Sequence, residues 1–176
     1  RLAKEMGKEV FIVNQNTTIG IEHFLAEARK ESEYQIAFID KLEALAKINA
    51  DTLLVVVDTN KKDYVEIPEL LGETNKIIVI DHHRRSTDYI EEAILTFQEV
   101  YASSACELVT EILEYAETQP TLKTIEVEGL YAGIMMDTKN FTFKTGVRTF
   151  EAAAYLRKCG VDIIKVKKMF QSDLEM

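Results

Sequence analysis

Two stretches decide the fold: Leu53-Leu54-Val55-Val56-Val57-Asp58 and Ile77-Ile78-Val79-Ile80-Asp81-His82-His83. Each is an unbroken apolar run that ends at an aspartate. Because apolar residues fill every position, both runs are predicted to be strands of a parallel sheet covered by helices on both faces. Ligands of such sheets bind beyond the carboxyl ends of the strands. We therefore expect Asp58 and Asp81 at the ligand-binding edge.

The segments on either side of these runs alternate between strand-like and helix-like patterns. Further strands are predicted at residues 10–13 and 36–39. Helices are predicted at residues 19–30, 104–115, 122–136 and 147–159. Another helix is predicted to begin after an N-cap at Asp40, and a short helical turn is predicted at residues 68–71. The predicted fold class is α/β, a doubly wound, mainly parallel sheet with helices on both faces and a helical second half.

The composition is that of a single globular domain with an acidic surface. The 176 residues are 47% hydrophobic and carry a formal net charge of −9. This charge repels phosphate backbones, so a long nucleic acid is not an expected partner, and a phosphate substrate would need cations to bind. No apolar run reaches the roughly 20 residues of a membrane helix, so no direct membrane contact is expected of this segment.

The cysteines indicate the redox setting. Cys106 and Cys159 are far apart in the sequence and form no C-x-x-C pair. Two isolated cysteines are typical of a protein in a reducing compartment. A cytoplasmic location is therefore predicted for this segment.

The triplet Asp81-His82-His83 combines a carboxylate with two imidazoles directly after a predicted buried strand. Carboxylate and imidazole together are the ligand set expected for Mn²⁺, Zn²⁺ or iron rather than for Ca²⁺. A single aspartate after a strand is more often a turn former or a helix N-cap, and the triplet alone is compatible with a solvated turn. Two neighbouring strands that both end in aspartate favour the metal site.

A third carboxylate, Asp137, follows the apolar stretch at residues 130–136. A buried carboxylate needs a partner, and a metal ion is one such partner. The alternative is that Asp137 forms an ion pair or caps the next turn. Taken with Asp58 and His82, the metal interpretation is favoured.

Together these segments resemble a known family. In chain order, motifs two, three and four of the DHH phosphoesterases are similar to Leu54-Val55-Val56-Val57-Asp58-Thr59, Ile80-Asp81-His82-His83-Arg84-Arg85 and residues 132–141. Residues 101–111 and 145–153 look like the GdpP-type cyclic di-AMP phosphodiesterases of this family. The resemblance covers nearly the whole chain, so residues 1–176 are predicted to form a DHH phosphoesterase domain.

The resemblance implies roles for the residues at the strand ends. Asp58 corresponds to a carboxylate that bridges two divalent metal ions, most simply Mn²⁺, while His82 and Asp137 correspond to ligands of one ion. His83 would face the substrate phosphate as a catalytic group. Asp81 would act with it, holding an imidazole in the tautomer that presents the right nitrogen.

The implied reaction is hydrolysis of a cyclic dinucleotide, cyclic di-AMP, to the linear dinucleotide by metal-activated water. Other small phosphodiesters are possible substrates, and a homodimer is an assembly compatible with the resemblance. The substrate-binding residues implied are Ser103, Ser104, Lys139, Asn140 and Arg148.

This sequence also departs from the family pattern. The first motif, H-x-x-x-D-x-D, does not occur in residues 1–176, and neither does the glycine-rich C-terminal substrate-binding domain of the DHHA1 type. The expectation is therefore a piece of a longer parent, membrane-anchored through other regions, with little turnover by the piece itself. Asn60 stands where we expect His in this branch, and an amide cannot replace an imidazole as a strong transition-metal ligand.

Three other interpretations remain open at this point. The same motifs resemble single-strand exonucleases, oligoribonucleases and manganese pyrophosphatases of the family. A catalytically silent nucleotide-binding or regulatory module would keep the fold without turnover. A plain α/β scaffold, in which the aspartates and histidines are only turn residues, predicts no metal affinity beyond that of a surface carboxylate.

Overall fold

The two strands that carry the predicted site belong to one three-stranded parallel sheet in a computed structural model that describes residues 1–15, 19–85 and 87–170. The sheet has the order β3-β4-β5, with β4 in the centre. Its strands are β3 (Leu54–Val57), β4 (Ile77–Asp81) and β5 (Leu95–Gln98). A second parallel pair joins β1 (Ile12–Val13) to β2 (Phe38–Ile39). The predicted α/β class with parallel strands is confirmed.

Helices connect these strands and make up the second half of the chain. The first half contains α1 (Leu2–Glu5), α2 (Ile19–Ala28), α3 (Ser32–Gln35), α4 (Lys41–Lys47) and 3₁₀ turns at Lys62–Tyr64 and Pro68–Gly72. The second half contains α5 (Ala105–Glu114), α6 (Thr124–Asp137), α7 (Val147–Lys158) and α8 (Ile163–Met169). None of the described helices is long and apolar enough to cross a membrane.

The central strand β4 is buried, whereas β3 exposes one face. Val55 and Val57 are 47% and 52% exposed, although both belong to the apolar run that predicted full burial. The reason is position in the sheet: β3 pairs with a described strand on one side only, and the helix α5 contacts β4. The prediction that both strands are covered on both faces is therefore correct for β4 only.

The helix ends follow the capping chemistry visible in the sequence. At the start of α4, Asp40 Oδ1 accepts a hydrogen bond from the backbone N–H of Glu43 at 2.9 Å, and Glu43 Oε2 accepts one from the N–H of Asp40 at 3.2 Å. At the start of α5, Ser104 Oγ accepts from the N–H of Glu107 at 3.0 Å. Both helices therefore begin where predicted.

The helical half has its own core, centred on α6. Its buried members come from α6, α7 and α8 and include Val127, Ile134, Met135, Leu156 and Val166. Helix α6 also packs against α5, where a Cβ added to Gly133 would lie 2.2 Å from the Sγ of Cys106. This packing fixes the carboxyl end of α6, and so the position of Asp137, relative to the sheet.

Candidate metal centre

The carboxyl ends of β3 and β4 bring Asp58 and Asp81 to one edge of the sheet. The parallel register places Val57 beside Ile80, and the N–H of Asp58 donates to the carbonyl of Ile80 at 2.9 Å. Asp81 is the last residue of β4, and His82 and His83 follow it directly. The edge predicted from the two apolar runs is therefore the edge observed.

The side chains of Asp58, His82 and Asp137 converge beyond this edge. His82 Nε2 lies 3.3 Å from Asp58 Oδ1 and 3.8 Å from Asp137 Oδ2, which α6 supplies from its last residue. Asp58, His82 and His83 each offer a ligand atom, and these atoms lie within 4.8 Å of one another. Three separate parts of the chain thus form one cluster, namely Asp58, the adjacent pair His82-His83, and Asp137.

Asp81 serves His83 rather than the cluster itself. The carboxylate is fully buried, and its Oδ1 accepts hydrogen bonds from His83 Nδ1 at 2.7 Å and from the backbone N–H of His83 at 3.2 Å. Burial alone would raise the pKa of Asp81, but hydrogen bonds from Asn60 and His83 outweigh it, and the net pKa is lowered. Asp81 is therefore ionised and can only accept, so His83 Nδ1 is the donor.

The electrostatics of the cluster are those of a site that needs a cation. Burial raises the pKa of Asp137, and the nearby charge of Asp58 raises it further. The hydrogen bond with Asp58 raises the pKa of His82, although burial acts in the opposite direction. Both groups respond to an excess of negative charge that a divalent ion would neutralise.

The residues present fit a divalent metal ion. Two carboxylates and an imidazole converge through Asp58, Asp137 and His82, and this donor set suits Mn²⁺, Zn²⁺ or iron. His82 is only 7% exposed, so its ring is held in place by the surrounding fold. Its Nε2 faces both carboxylates and is therefore the nitrogen that a metal ion would take.

Backbone strain is concentrated at the same place. Asp58 has φ +65°, and Lys139, Asn140 and Phe141 have φ values of +46°, +59° and +62° directly after α6. Left-handed conformations cost non-glycine residues roughly 1–3 kcal/mol each and cluster at functional sites. Here the strained segment is held by hydrogen bonds from the N–H of Asn140 to Met135 O at 2.7 Å and from the N–H of Lys139 to Met136 O at 3.1 Å.

The five predicted substrate-binding residues fall into three groups, of which Arg148 alone is the third. Lys139 and Asn140 are exposed beside Asp137, at the cluster. Ser103 and Ser104 are fully buried; Ser104 caps α5, and Ser103 Oγ donates to Glu107 Oε2 at 2.5 Å. The hydroxyls of both serines therefore already have partners within the fold.

Arg148, the remaining member of the set, forms a two-bond ion pair with Glu111 at 2.7 and 2.6 Å and lies 3.7 Å from Glu99. Its guanidinium is therefore engaged by carboxylates of the chain itself. Contact of Arg148 with substrate stays a prediction, as it does for the other four residues.

Two residues near the cluster make contacts that the sequence does not predict. Asn60, noted above only as a departure from the family pattern, is buried and donates to Asp81. Lys144 lies in the loop after α6, where the N–H of Phe143 donates to Thr138 O at 2.8 Å and so returns the chain to the residue beside Asp137. The charge of Lys144 acts against the raised pKa of Asp137. An exposed lysine in a loop becomes informative only once the loop is placed.

Fold and site together define an α/β protein with a carboxylate–imidazole cluster, able to hold a metal ion, at the carboxyl edge of a parallel sheet. The sequence profile of the DHH family, N-terminal domain, matches residues 3–134. That stretch contains β3, β4 and the Asp81-His82-His83 triplet. The chain belongs to the DHH family.

Two proteins of known activity are similar to this chain in sequence. The cyclic-di-AMP phosphodiesterase GdpP of Bacillus subtilis (strain 168) is 41% identical over 177 residues, which is 99% of this chain and 27% of GdpP. The bifunctional oligoribonuclease and PAP phosphatase NrnA of Mycoplasma genitalium is 32% identical over 116 residues, covering 64% of this chain and 35% of NrnA. The chain thus spans about a quarter to a third of these two relatives.

A solved structure supports the fold. The exopolyphosphatase-related protein from Bacteroides fragilis superimposes with a TM-score of 0.68 at 18% identity, covering 93% of this chain and 55% of the other. At this level of identity the likeness concerns the fold alone.

Proposed function

We propose that the protein containing this chain is a metal-dependent phosphodiesterase that hydrolyses cyclic di-AMP to the linear dinucleotide. The observation that carries this proposal is the convergence of two carboxylates on one imidazole: Asp58 Oδ1 and Asp137 Oδ2 lie 3.3 and 3.8 Å from His82 Nε2. The similarity to GdpP, which extends over 99% of the chain, selects the substrate class.

Asp58, His82 and Asp137 are the residues that would hold the metal, with Asp58 as the carboxylate shared between two ions. Two divalent ions, most simply Mn²⁺, supply a water of lowered pKa and neutralise charge on the phosphate when bound. Bound cations would neutralise the negative charge of the carboxylates in the cluster. The acidic edge of the sheet could then accept an anionic substrate without repelling it.

His83 is the residue proposed to act on the phosphodiester. Its side chain is 55% exposed, and Asp81 engages its Nδ1 at 2.7 Å. The opposite ring nitrogen, Nε2, is then the one available to the substrate. In the protonated ring this nitrogen donates to a phosphate oxygen or gives its proton to the leaving alkoxide.

Lys139, Asn140 and Lys144 are proposed to contact the anionic substrate beside Asp137. All three are exposed on the loop that begins at the end of α6. Cationic and amide groups at this rim offset the acidic character of a chain whose formal net charge is −9. Ser103, Ser104 and Arg148 remain proposed contacts that would require exchange of their present partners.

The rest of the proposed arrangement concerns the longer protein. In it, this chain is the DHH domain, other parts supply the first metal motif and the C-terminal substrate-binding domain, and the domain works in the cytoplasm. Membrane anchoring through other regions and a homodimer are part of the same proposal. Because every group that contacts the metal ions must be in place for catalysis, residues 1–176 alone are expected to hydrolyse the substrate slowly.

The test is a hydrolysis assay of the full-length protein with cyclic di-AMP and Mn²⁺, with products separated by chromatography. The linear dinucleotide is the expected product, and Asp58→Asn and His82→Ala are expected to abolish its formation while circular dichroism stays unchanged. Asn tolerates left-handed backbone, so Asp58→Asn removes the charge without adding strain at φ +65°. Undiminished hydrolysis by both variants would falsify the assignment.

A second candidate is an oligoribonuclease or single-strand exonuclease, which the similarity to NrnA favours. The same assay with short oligoribonucleotides and with pyrophosphate separates these activities. Faster hydrolysis of the oligoribonucleotide than of cyclic di-AMP would favour the oligoribonuclease function over the cyclic di-AMP phosphodiesterase function. A silent nucleotide-binding module would bind cyclic di-AMP in calorimetry without forming any product.

A further inference from the structure

Asn60 is a buried amide that spans the segment carrying the two histidines. Its Nδ2 donates to Asp81 Oδ2 at 2.5 Å and to the backbone carbonyl of Arg84 at 3.3 Å. The backbone carbonyl of Asn60 accepts a hydrogen bond from the backbone N–H of Ile90 at 2.9 Å, and this bond fixes the backbone at position 60. One side chain thereby holds residues on both sides of His82 and His83.

The contact with Asn60 divides the two oxygens of Asp81 between two partners. Oδ2 faces Asn60, and Oδ1 is left for the ring and the backbone N–H of His83 at 2.7 and 3.2 Å. A buried carboxylate that lost the amide would turn toward another donor to satisfy both of its oxygens. His83 Nδ1 would then lose its fixed acceptor.

We propose that Asn60 is a positioning residue that holds Asp81 so that His83 carries its ring proton on Nδ1 and leaves Nε2 free. The structural part of this inference stands on the contacts of Asn60, Asp81 and His83. The consequence for phosphodiester hydrolysis rests on the proposed function.

The amide suits this role better than the other polar side chains. It offers two N–H donors from one nitrogen, so it reaches Asp81 and Arg84 together, and it carries no charge at any working pH. An imidazole at position 60 would place at most one N–H against Asp81. A carboxylate would place like charges against each other in a buried site. The Asn at a position where His was expected is thus a usable substitute as a hydrogen-bond donor.

The structural test is the protonation site of the His83 ring, read from ¹⁵N shifts and long-range ¹⁵N–¹H couplings in the metal-free full chain at a pH where the ring is neutral. His83 is assigned by comparison with His82→Gln and His23→Gln. The wild type is expected to be the Nδ1–H tautomer, and Asn60→Leu is expected to shift the population toward Nε2–H. A wild-type ring protonated on Nε2 overturns the proposal without any variant.

A matched control separates this effect from loss of stability. Thr74 is a buried polar residue elsewhere, whose Oγ1 donates to Thr52 O at 2.7 Å. Thr74→Val is expected to lower the melting temperature while leaving the His83 tautomer as in the wild type. If Thr74→Val moves the tautomer as far as Asn60→Leu does, Asn60 has no positioning role.

The functional test uses the full-length protein in the cyclic di-AMP assay. Asn60→Leu is expected to lower kcat by about 10- to 100-fold with KM changed by less than about threefold, because a group that orients a catalytic residue has effects of this size. Asn60→His is expected to recover part of kcat through its one N–H donor. An unchanged kcat in Asn60→Leu overturns the catalytic consequence, whereas an inactive wild type overturns the proposed function and leaves the tautomer result standing.

Discussion

At the residue scale, the site depends on a few side chains whose chemistry is visible in the sequence and whose partners are not. Apolar segments that end in aspartate predicted a metal site, and the family resemblance selected Asp58, His82 and Asp137 as its ligands; the structure brings these three together. The contacts of Asn60 and Lys144 were not predicted, because they come from the turns that return these residues to Asp81 and to Asp137. Local sequence patterns carry no information on such contacts.

Lys144 is predicted to attract the substrate phosphate. It is exposed, and it makes no hydrogen bond or ion pair with another described residue. Lys144→Met in the full-length protein is expected to raise KM for cyclic di-AMP by roughly 3- to 10-fold with kcat nearly unchanged, because one exposed charge contributes about 1 kcal/mol to binding.

Lys8→Met, which removes an exposed lysine outside the site, is the charge-matched control for Lys144→Met. Steady-state kinetics at two salt concentrations provide the measurement, since the effect of Lys144 should shrink as salt screens it. Equal KM values for the two variants would show that Lys144 does not contribute to substrate binding.

Glu33 gives a pH dependence of a known sign. Hydrogen bonds from Arg1 and Lys123 lower the pKa of Glu33 from 4.5 to about 2. A carboxylate with a depressed folded-state pKa contributes stability above its unfolded pKa, and this contribution disappears as the pH falls from 4.5 toward 2. Wild-type stability should therefore fall more steeply over this range than that of Glu33→Gln.

Urea unfolding at pH 6 and pH 3 measures this difference. The control is Glu117→Gln, which removes an exposed carboxylate with no ion pair among the described residues. It is expected to keep the wild-type pH dependence. If Glu33→Gln also keeps it, the ion pairs of Glu33 contribute nothing to acid stability.

At the scale of elements, the site is assembled by two strands and one helix that must keep their relative positions. Helix α6 delivers Asp137 from its last residue, and its contact with α5 at Gly133 determines how closely it approaches the sheet. The glycine matters here for space, because a Cβ would meet the Sγ of Cys106 at 2.2 Å.

Gly133→Ala is therefore predicted to destabilise the fold by about 1–3 kcal/mol through overpacking between α5 and α6. Gly72→Ala is the matched control, because an added Cβ there meets nothing within 4 Å. Chemical denaturation measures both. Combining Gly133→Ala with Cys106→Ala should cost less than the sum of the two single changes, and strict additivity would mean that the two positions do not touch.

The elements also show which parts of the fold the sequence could predict. Strands β3 and β4 were found because their apolar runs are unbroken, α4 because Asp40 is a good N-cap, and α5 because residues 104–115 have the pattern of a helix. Strand β5 was missed because Leu95–Gln98 is short and mixes polar with apolar residues. The exposed face of β3 was also missed, since burial depends on what packs against a strand rather than on its own residues.

At the scale of the whole molecule, an acidic chain with a formal net charge of −9 binds a phosphate substrate only if cations are present. The proposed metal centre is therefore the feature on which the function depends, since bound ions would give the acidic edge of the sheet both its affinity for the substrate and its reactive water. Family membership and the parallel fold are compatible with this role. The affinity for metal can be measured without knowing the substrate.

Isothermal titration calorimetry of the chain with Mn²⁺ is the most direct test. The wild type is predicted to bind Mn²⁺ with release of protons from the cluster, and Asp58→Asn is predicted to weaken this binding by about 100-fold or more. Asp51→Asn, which alters an aspartate whose side chain is 96% exposed, should bind as the wild type does. Absence of binding by the wild type, or equal binding by all three proteins, would contradict the account.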